Sequence, residues 1–448
     1  MPDFLNELKW RGLFYQCTDE AALAQHLQTG VRRGYVGYDP TADSLTIGNM
    51  VTIMLLAHLQ RAGHTPVVVS GGGTGLIGDP SGKSAERQLQ TEEIVRHNVE
   101  RQRGIFSKLL DFSPTLSNRA VIVNNLDWLG KLTYIEALRD IGKHFSVNMM
   151  IQKDSVRERL HARDQGISYT EFSYMILQSY DYWHLYKAWQ DHGGLAGPVT
   201  LQMGGSDQWG NIVAGADLIR RQQVVASEEG GLQRGTAQHI AFGLTCPLIT
   251  KADGGKFGKT ESGAVWMTAE RTSPFAFYQF WLNASDEDIP KFLKIFTFLS
   301  QPEIEALIAA HAANPGAREA HRALARHATE LLHGPTEVAN AESAAKALFS
   351  GEVANLSEPT LREVLANVPS STHSKNTLSA GIPILDFLVT TQLAQSKREA
   401  KEFLATGSVT INGRKVGADD KLTTADLLHG TMIALRRGKK NWHLTRWE

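Results

Sequence analysis

The run Pro66-Val67-Val68-Val69-Ser70-Gly71-Gly72-Gly73-Thr74-Gly75-Leu76-Ile77-Gly78-Asp79-Pro80-Ser81-Gly82-Lys83-Ser84 passes from apolar, β-branched residues straight into glycine. A short apolar run without polar alternation is the pattern of a strand buried on both faces of a parallel sheet. Gly34-Tyr35-Val36-Gly37-Tyr38 upstream reads as another strand, as do Ala120-Val121-Ile122-Val123 and Val199-Thr200-Leu201-Gln202-Met203 downstream. Between the first two, Met50, Ile53, Met54, Ala57 and Leu59 recur at helical spacing over Ile47–Ala62, and Gly63 stops the helix. Strands separated by helices predict βαβ units, hence an α/β fold with a doubly wound parallel sheet.

The glycine loop admits several readings. Gly73-x-Gly75-x-x-Gly78 after a strand matches the dinucleotide fingerprint of an oxidoreductase. That fingerprint needs a helix to open across the glycines, and Asp79-Pro80-Ser81-Gly82 would break one. Gly82-Lys83-Ser84 has the ending of a phosphate-binding P-loop, but three residues separate Gly78 from Gly82 where four are required. Glycines serving only tight turns are the plain alternative. The neighbours point elsewhere. Tyr35–Asn49 puts a strand, an Asp/Thr loop with Asp39 and Thr41, and a helix N-terminus in succession, and Lys256-Phe257-Gly258-Lys259-Thr260 is a Gly/Lys loop. Together they offer a helix dipole and threonine hydroxyls on one side of a nucleotide and two cations on the other.

A chain of 448 residues fits about three domains of roughly 150 residues. Hydrophobic content of 42% and charged content of 21% are those of a globular protein. Cys17 and Cys246 are far apart, which excludes a disulfide framework and a cysteine metal cluster and predicts a reducing, cytoplasmic setting. The opening residues, through Leu13, read as a short amphipathic helix, not a leader, and no apolar run is long enough to span a membrane. Strands give out from about Thr272 to Phe349, where Pro290–Leu299 and Ala317–Leu332 are helical; residues 351–380 are polar and read as a linker.

The net charge of -1, from 46 Lys/Arg and 47 Asp/Glu, gives no overall basic signal for nucleic acid. Residues 382–448 nevertheless carry 11 Lys/Arg against 7 Asp/Glu. In that tail Ser396-Lys397-Arg398-Glu399 is a capping box, and Gly407 ends the helix it starts. Asn412-Gly413 between Val409–Ile411 and Arg414–Val416 predicts a two-residue hairpin. A second hairpin joins Thr431–Leu435 to Trp442–Thr445 through a basic turn holding Arg436, Arg437, Lys439 and Lys440.

Five blocks taken together, Tyr35–Asn49, Gly71–Arg87, Tyr174–Asp181, Gln202–Asn211 and Lys256–Thr260, resemble the bacterial tyrosyl-tRNA synthetases of class I, over nearly the whole chain. Thr46-Ile47-Gly48-Asn49 stands where the class has its first signature, with Thr in place of the first histidine, and Lys256–Thr260 stands for the second. The resemblance implies a Rossmann-like catalytic domain over residues 1–262, an α-helical domain on the anticodon side over 263–350, and an α+β RNA-binding domain over 381–448 after the linker. It implies that L-tyrosine is activated with ATP, as substrate with Mg2+, to tyrosyl-adenylate and pyrophosphate, and that the tyrosyl group passes to the terminal ribose of tRNA(Tyr). Catalytic roles fall by resemblance on Thr41, Thr46, Asn49, Lys83, Arg87, Lys256, Lys259 and Thr260. Tyrosine binding falls on Tyr35, Asp39, Asp79, Tyr174, Gln178, Asp181 and Gln208, with Tyr35 and Asp181 meeting the phenol. ATP contacts fall on Gly48, Thr52, Gly205, Asp207 and Lys259. Lys397, Arg398, Lys401, Arg414, Lys415, Arg436, Arg437, Lys439 and Lys440 are the expected tRNA contacts. A homodimer, no membrane association and no protein-bound metal are also implied. The Thr46 departure leaves a second reading, a catalytically impaired paralogue that binds RNA.

Overall fold

The computed structural model describes residues 3–81, 89–153, 156–157, 166–192, 194–223, 241–255, 257–260, 263–366, 368–438 and 441–448. The chain divides into two compact units, Met1–Ser273 with Trp281–Leu332, and Pro274–Phe280 with His333–Glu448.

The first unit is built on a six-stranded sheet. Its strands are β1 (Gln16–Cys17), β2 (Arg33–Tyr38), β3 (Thr65–Ser70), β4 (Val121–Asn124), β5 (Leu201–Gly205) and β6 (Phe242–Cys246), in the spatial order β1-β6-β5-β2-β3-β4. All neighbours are parallel except β1, which runs antiparallel to β6. The predicted α/β class therefore holds, and Thr65–Ser70 is buried at every position as the apolar run requires. Helix α1 (Ile47–Arg61) links β2 to β3 and buries Met50, Ile53, Met54, Ala57 and Leu59. Val51, Leu55 and Leu56 are buried too, so the helix is covered on more than one face. The chain leaves β2 toward β3 on one side and returns to its other side as β5. The crevice outside the carboxyl ends of β2 and β5 is thus the switch point at which open α/β sheets bind ligands.

Beyond the sheet the same unit is helical, with Ile289–Phe296 and Gln301–Ala313 followed by the start of Glu319–Ser350. That last helix breaks at Gly334 (φ 82°), just before Pro335. The N-terminal helix Phe4–Arg11 is tied to this layer by buried Arg11, whose guanidinium donates to the carbonyls of Lys294, Thr297 and Leu299.

The second unit carries a five-stranded sheet of β7 (Ser370–His373), β8 (Val409–Ile411), β9 (Arg414–Lys415), β10 (Met432–Arg437) and β11 (Asn441–Trp447), ordered β9-β8-β10-β11-β7. The Asn412-Gly413 turn forms as predicted, with φ of 51° and 93° and Ile411 opposite Arg414. Helix α3 (Lys397–Ala405) starts at Ser396, whose hydroxyl accepts from the Glu399 amide at 3.2 Å. Two expectations need correction. Residues 351–380, read as a linker, contain helix Glu358–Val364 and strand β7, which pairs in parallel with β11. Arg436 and Arg437 are strand residues, not turn residues, with Arg437 opposite Asn441.

Candidate active site

Side chains from the carboxyl ends of four parallel strands and from helix α2 (Tyr169–Lys187) meet in the crevice. Asp39, just past β2, accepts from the Tyr174 hydroxyl at 2.9 Å through one oxygen and from the Thr74 hydroxyl at 2.8 Å through the other. Asn125, past β4, donates to Thr74 Oγ1 and to Asp181 Oδ2, both at 2.9 Å, while its own oxygen accepts from the Gly73 amide at 2.7 Å. Trp128 Nε1 donates to Asp181 Oδ1 at 2.7 Å. One hydrogen-bonded chain therefore runs from Tyr174 through Asp39, Thr74 and Asn125 to Asp181.

Tyr174, Gln178 and Asp181 fall on one face of α2, as their spacing predicts. Burial raises the Asp181 carboxyl to about 7 against the opposing pull of the Asn125 and Trp128 donors, and Asp39 raises it further. Tyr35, 1% exposed, has no hydrogen-bond partner for its hydroxyl, and burial with the nearby Asp181 pushes its phenol well up. A buried carboxylate beside an orphan phenol is an arrangement that a second hydroxyl would complete.

At the other end of the crevice, Asp79 caps its own turn, accepting from the Ser81 amide at 3.0 Å, and takes Gln208 Nε2 at 2.7 Å on its second oxygen. Asn211 joins Gln178 to Gln208, donating at 3.0 and 3.3 Å. Asp207, beside Gly205 after β5, is raised by burial. At the start of α1 both the Thr46 amide and the Thr46 hydroxyl donate to Asn49 Oδ1, at 3.1 and 3.0 Å. Gly48 is exposed beside them, and Thr52 donates to the Asn49 carbonyl at 2.9 Å. The Gly258–Met267 segment is stitched to this helix start. Val265 donates to Gly258 O at 2.9 Å, Ile47 to Val265 O at 3.0 Å and Met267 to Leu45 O at 2.8 Å. Gly258 has φ 78°, and a Cβ there would lie 3.0 Å from Ile47 Cγ1. Helix terminus and Gly/Lys loop are thus brought together across two hundred residues of sequence.

The glycine loop is occupied by packing. A Cβ on Gly71 would lie 2.3 Å from Asp39 Oδ1, and one on Gly72 would lie 2.2 Å from Asn124 Oδ1. Among the described residues of the loop only Thr74–Leu76 is helical, a single 3-10 turn, so no helix N-terminus opens there on Gly73, Gly75 and Gly78 as a dinucleotide would need. The glycines serve close approach.

A family described as tRNA synthetases class I (W and Y) matches residues 28–350, and a tyrosine–tRNA ligase SYY-like C-terminal domain matches residues 360–445. The chain belongs to the class I tRNA synthetases of this W and Y family. A tyrosine–tRNA ligase of Aliivibrio fischeri (strain MJ11) is 46% identical over all of this chain and 99% of its own length. Tyrosine–tRNA ligase 1 of Bacillus subtilis (strain 168) is 46% identical over the whole of both chains. Among solved structures, a C-terminally truncated mitochondrial tyrosyl-tRNA synthetase of Aspergillus nidulans superposes with a TM-score of 0.68 at 28% identity, covering 78% of this chain and 95% of that one. The oxidoreductase and P-loop readings fall with this class I membership, and nothing in these likenesses favours an impaired paralogue.

Within the class I frame, Tyr35, Asp39, Asp79, Tyr174, Gln178, Asp181, Gln208, Asp207, Gly205, Thr46, Gly48, Asn49 and Thr52 lie around the crevice described above. Thr41 is exposed on the loop after β2, its carbonyl accepting from Gln90. Lys83, Arg87, Lys256, Lys439 and Lys440 lie outside the described residues; for Lys259 and Thr260 the backbone forms a short strand paired with Gly263–Ala264. In the C-terminal unit Lys397, Arg398, Lys401, Arg414 and Lys415 are exposed, Lys397 pairing with Asp386 at 2.5 Å and Arg414 with Asp426 at 3.0 Å. Arg437 is half-buried, donating to the Leu393 carbonyl at 2.7 Å. Arg436 is a correction. It is buried, its guanidinium lies 5.2 Å from the Trp442 ring centre, and Trp442 and Trp447 are core residues, so none of the three offers a free surface to RNA. Sequence reasoning missed Thr74, Asn125, Trp128 and Asn211. The available signal was position, since Asn125 and Trp128 follow a parallel strand at its carboxyl end.

Proposed function

We propose that this chain ligates tyrosine to tRNA, activating L-tyrosine with ATP to tyrosyl-adenylate and pyrophosphate and then passing the tyrosyl group to the terminal ribose of tRNA(Tyr). The observation that carries this reading is the Asp181 carboxylate, held by Asn125 and Trp128 beside the unpartnered Tyr35 hydroxyl. A phenol entering there donates to Asp181 and meets the Tyr35 oxygen, and phenylalanine leaves the same groups unsatisfied. This enzyme class is the standard illustration of such discrimination. Asp39, Asp79, Tyr174 and Gln178 supply the acceptors for the ammonium group, and Gln208 borders the carboxylate.

In the first step a tyrosine carboxylate oxygen bonds to the α-phosphorus of ATP as the bond to the bridging oxygen of pyrophosphate breaks. The protein's work is in-line positioning and neutralisation of the charge that develops on the leaving group. The α1 N-terminus with Thr46 and Asn49 faces that charge from one side. Thr41, Lys83, Arg87, Lys256, Lys259 and Thr260 meet it from the loops, while Gly48, Thr52, Gly205 and Asp207 hold the adenosine. Mg2+ enters as part of the nucleotide substrate. The basic α3 helix and the β8–β9 hairpin, with Lys397, Arg398, Lys401, Arg414, Lys415 and Arg437, contact tRNA phosphates. We assign catalysis to residues 1–262, anticodon-side contacts to the helices of 263–350, and RNA binding to the C-terminal module.

We further infer a homodimer acting in the cytoplasm. Tyr134, Ile135, Leu138, Val147, Met149, Ile151 and Tyr169 are exposed apolar side chains within one stretch of the chain, the kind of surface a partner copy would cover. No helix of the described residues is long and apolar enough to cross a membrane.

The deciding experiment is amino-acid-dependent ATP–pyrophosphate exchange across the twenty amino acids. Exchange with tyrosine alone is the expected result. Exchange with tryptophan would move the chain to the sister specificity of its family, and exchange with neither would end the catalytic reading.

A further inference from the structure

We propose that His311, His321 and Asp286 form a site for one divalent transition-metal ion of the zinc class, bracing the helical layer that follows the sheet. The three residues come from three segments. Asp286 lies in the loop before helix Ile289–Phe296, His311 in the last turn of Gln301–Ala313, and His321 in the first turn of Glu319–Ser350. One ligand atom from each lies within 4.8 Å of the others. Nε2 of His311 and Nε2 of His321 are each 3.2 Å from the same oxygen, Asp286 Oδ1. His321 Nε2 also lies 3.1 Å from the Ala284 carbonyl oxygen, a hydrogen bond in which the ring N–H donates, so an ion on Nε2 would take the place of that proton.

Metal bonds of about 2.0–2.1 Å place the corners of a tetrahedron about 3.3 Å apart. The two Nε2–Oδ1 separations of 3.2 Å match that spacing to within a few tenths of an ångström, and all three ligand atoms lie within 4.8 Å of one another. Two imidazoles and a carboxylate suit zinc, nickel or copper, whereas magnesium and calcium prefer all-oxygen shells. The two histidines are buried and Asp286 is 61% exposed, which leaves the ion a route in from solvent. Neither Nδ1 has a hydrogen-bond partner among the described residues; with metal on Nε2 each neutral ring would carry its proton on Nδ1. Arg318 opposes any cation beside His321; its guanidinium donates to the Leu282 carbonyl, and the Asp286 charge offsets it. The competing arrangement has both rings donating to one carboxylate oxygen with no ion.

The test is titration of metal-stripped, full-length protein with Zn2+ and with Co2+. One equivalent should bind per chain, with visible Co2+ absorption of tetrahedral type and a thermal midpoint that climbs with free metal concentration. Asp286→Asn and His311→Gln each remove a direct ligand, so each should weaken binding by more than the roughly 10–100-fold of an outer-shell partner. Both should also abolish the thermal shift while leaving tyrosine-dependent exchange unchanged. Absence of a saturable equivalent, or undiminished binding in both variants, overturns the site.

Discussion

Asp181 titrates near pH 7 because burial removes its carboxylate from water faster than two neutral donors can replace that water. Its unfolded value is near 3.8, so between about pH 4 and pH 7 the free folded protein holds a proton that the unfolded chain does not. The associated stability is complete below pH 4 and is lost as pH rises through 7. Asp181→Asn keeps the shape and removes the titration. At about 1.4 kcal/mol per pH unit, the urea-unfolding stability of the parent should fall by roughly 2–3 kcal/mol relative to the variant between pH 5 and pH 8. Parallel profiles would refute the assignment. Tyr35→Phe is the companion case. Removing a buried hydroxyl that has no partner should leave the free protein equally stable or up to about 1 kcal/mol more so, while kcat/KM for tyrosine drops about tenfold. A loss of stability matching the loss of activity would make Tyr35 a packing residue only. Tyr35 and Asp181 were legible in the sequence through their family blocks. Asn125 and Trp128, which hold Asp181, were not, because Asn and Trp after a short strand look like any loop until the sheet order aligns that strand with the others.

Elements were legible where burial imposes a period. The α1 stripe and the β3 run are dictated by side chains that cannot face water, and their predicted bounds fall within a residue or two of those observed. Phe242–Cys246 escaped because glycine and threonine dilute its apolar signal, although it is buried throughout. Ser370–His373 escaped because nothing local makes Ser-Ser-Thr-His extended; the edge of β11 does, and tertiary pairing overrides propensity. The glycine loop was misleading for a related reason, since its glycines answer to neighbours distant in sequence. A Cβ on Gly71 would intrude on Asp39 Oδ1 and Thr74 Oγ1 and come within 3.1 Å of Asp39 Cα, where backbone must yield. Gly71→Ala should therefore displace the Asp39–Tyr174 pair, raising KM for tyrosine at least tenfold and costing about 1–3 kcal/mol of stability. Exchange kinetics and urea unfolding on the same variant decide it. An unchanged KM would mean that the loop relaxes without disturbing the ammonium site.

For the molecule as a whole, the near-zero net charge is the sum of two unlike parts. The tail's surplus of four positive charges over residues 382–448 sits against a body with a deficit of five. Within the tail, burial divides the cations again. Arg436 is spent on stacking against Trp442, whereas Lys397, Arg398, Lys401, Arg414 and Lys415 stay in water. Exposed cations release counterions on binding a polyanion, so residues of this kind set the salt dependence of RNA affinity. Truncation cannot begin at 382, because β7 at Ser370–His373 belongs to the same sheet and would be left with an unpaired edge. A chain ending before Glu358 avoids that edge and should retain tyrosine-dependent pyrophosphate exchange within about twofold, since the whole crevice lies in the first unit. Its tRNA charging should fall at least tenfold. In the intact chain, Lys397→Ala, Lys401→Ala and Lys415→Ala together should lower the slope of log affinity against log salt by up to about three. Arg436→Ala should instead lower stability through lost packing and leave that slope alone. Equal slopes in the triple variant and the parent would place RNA binding on some other surface.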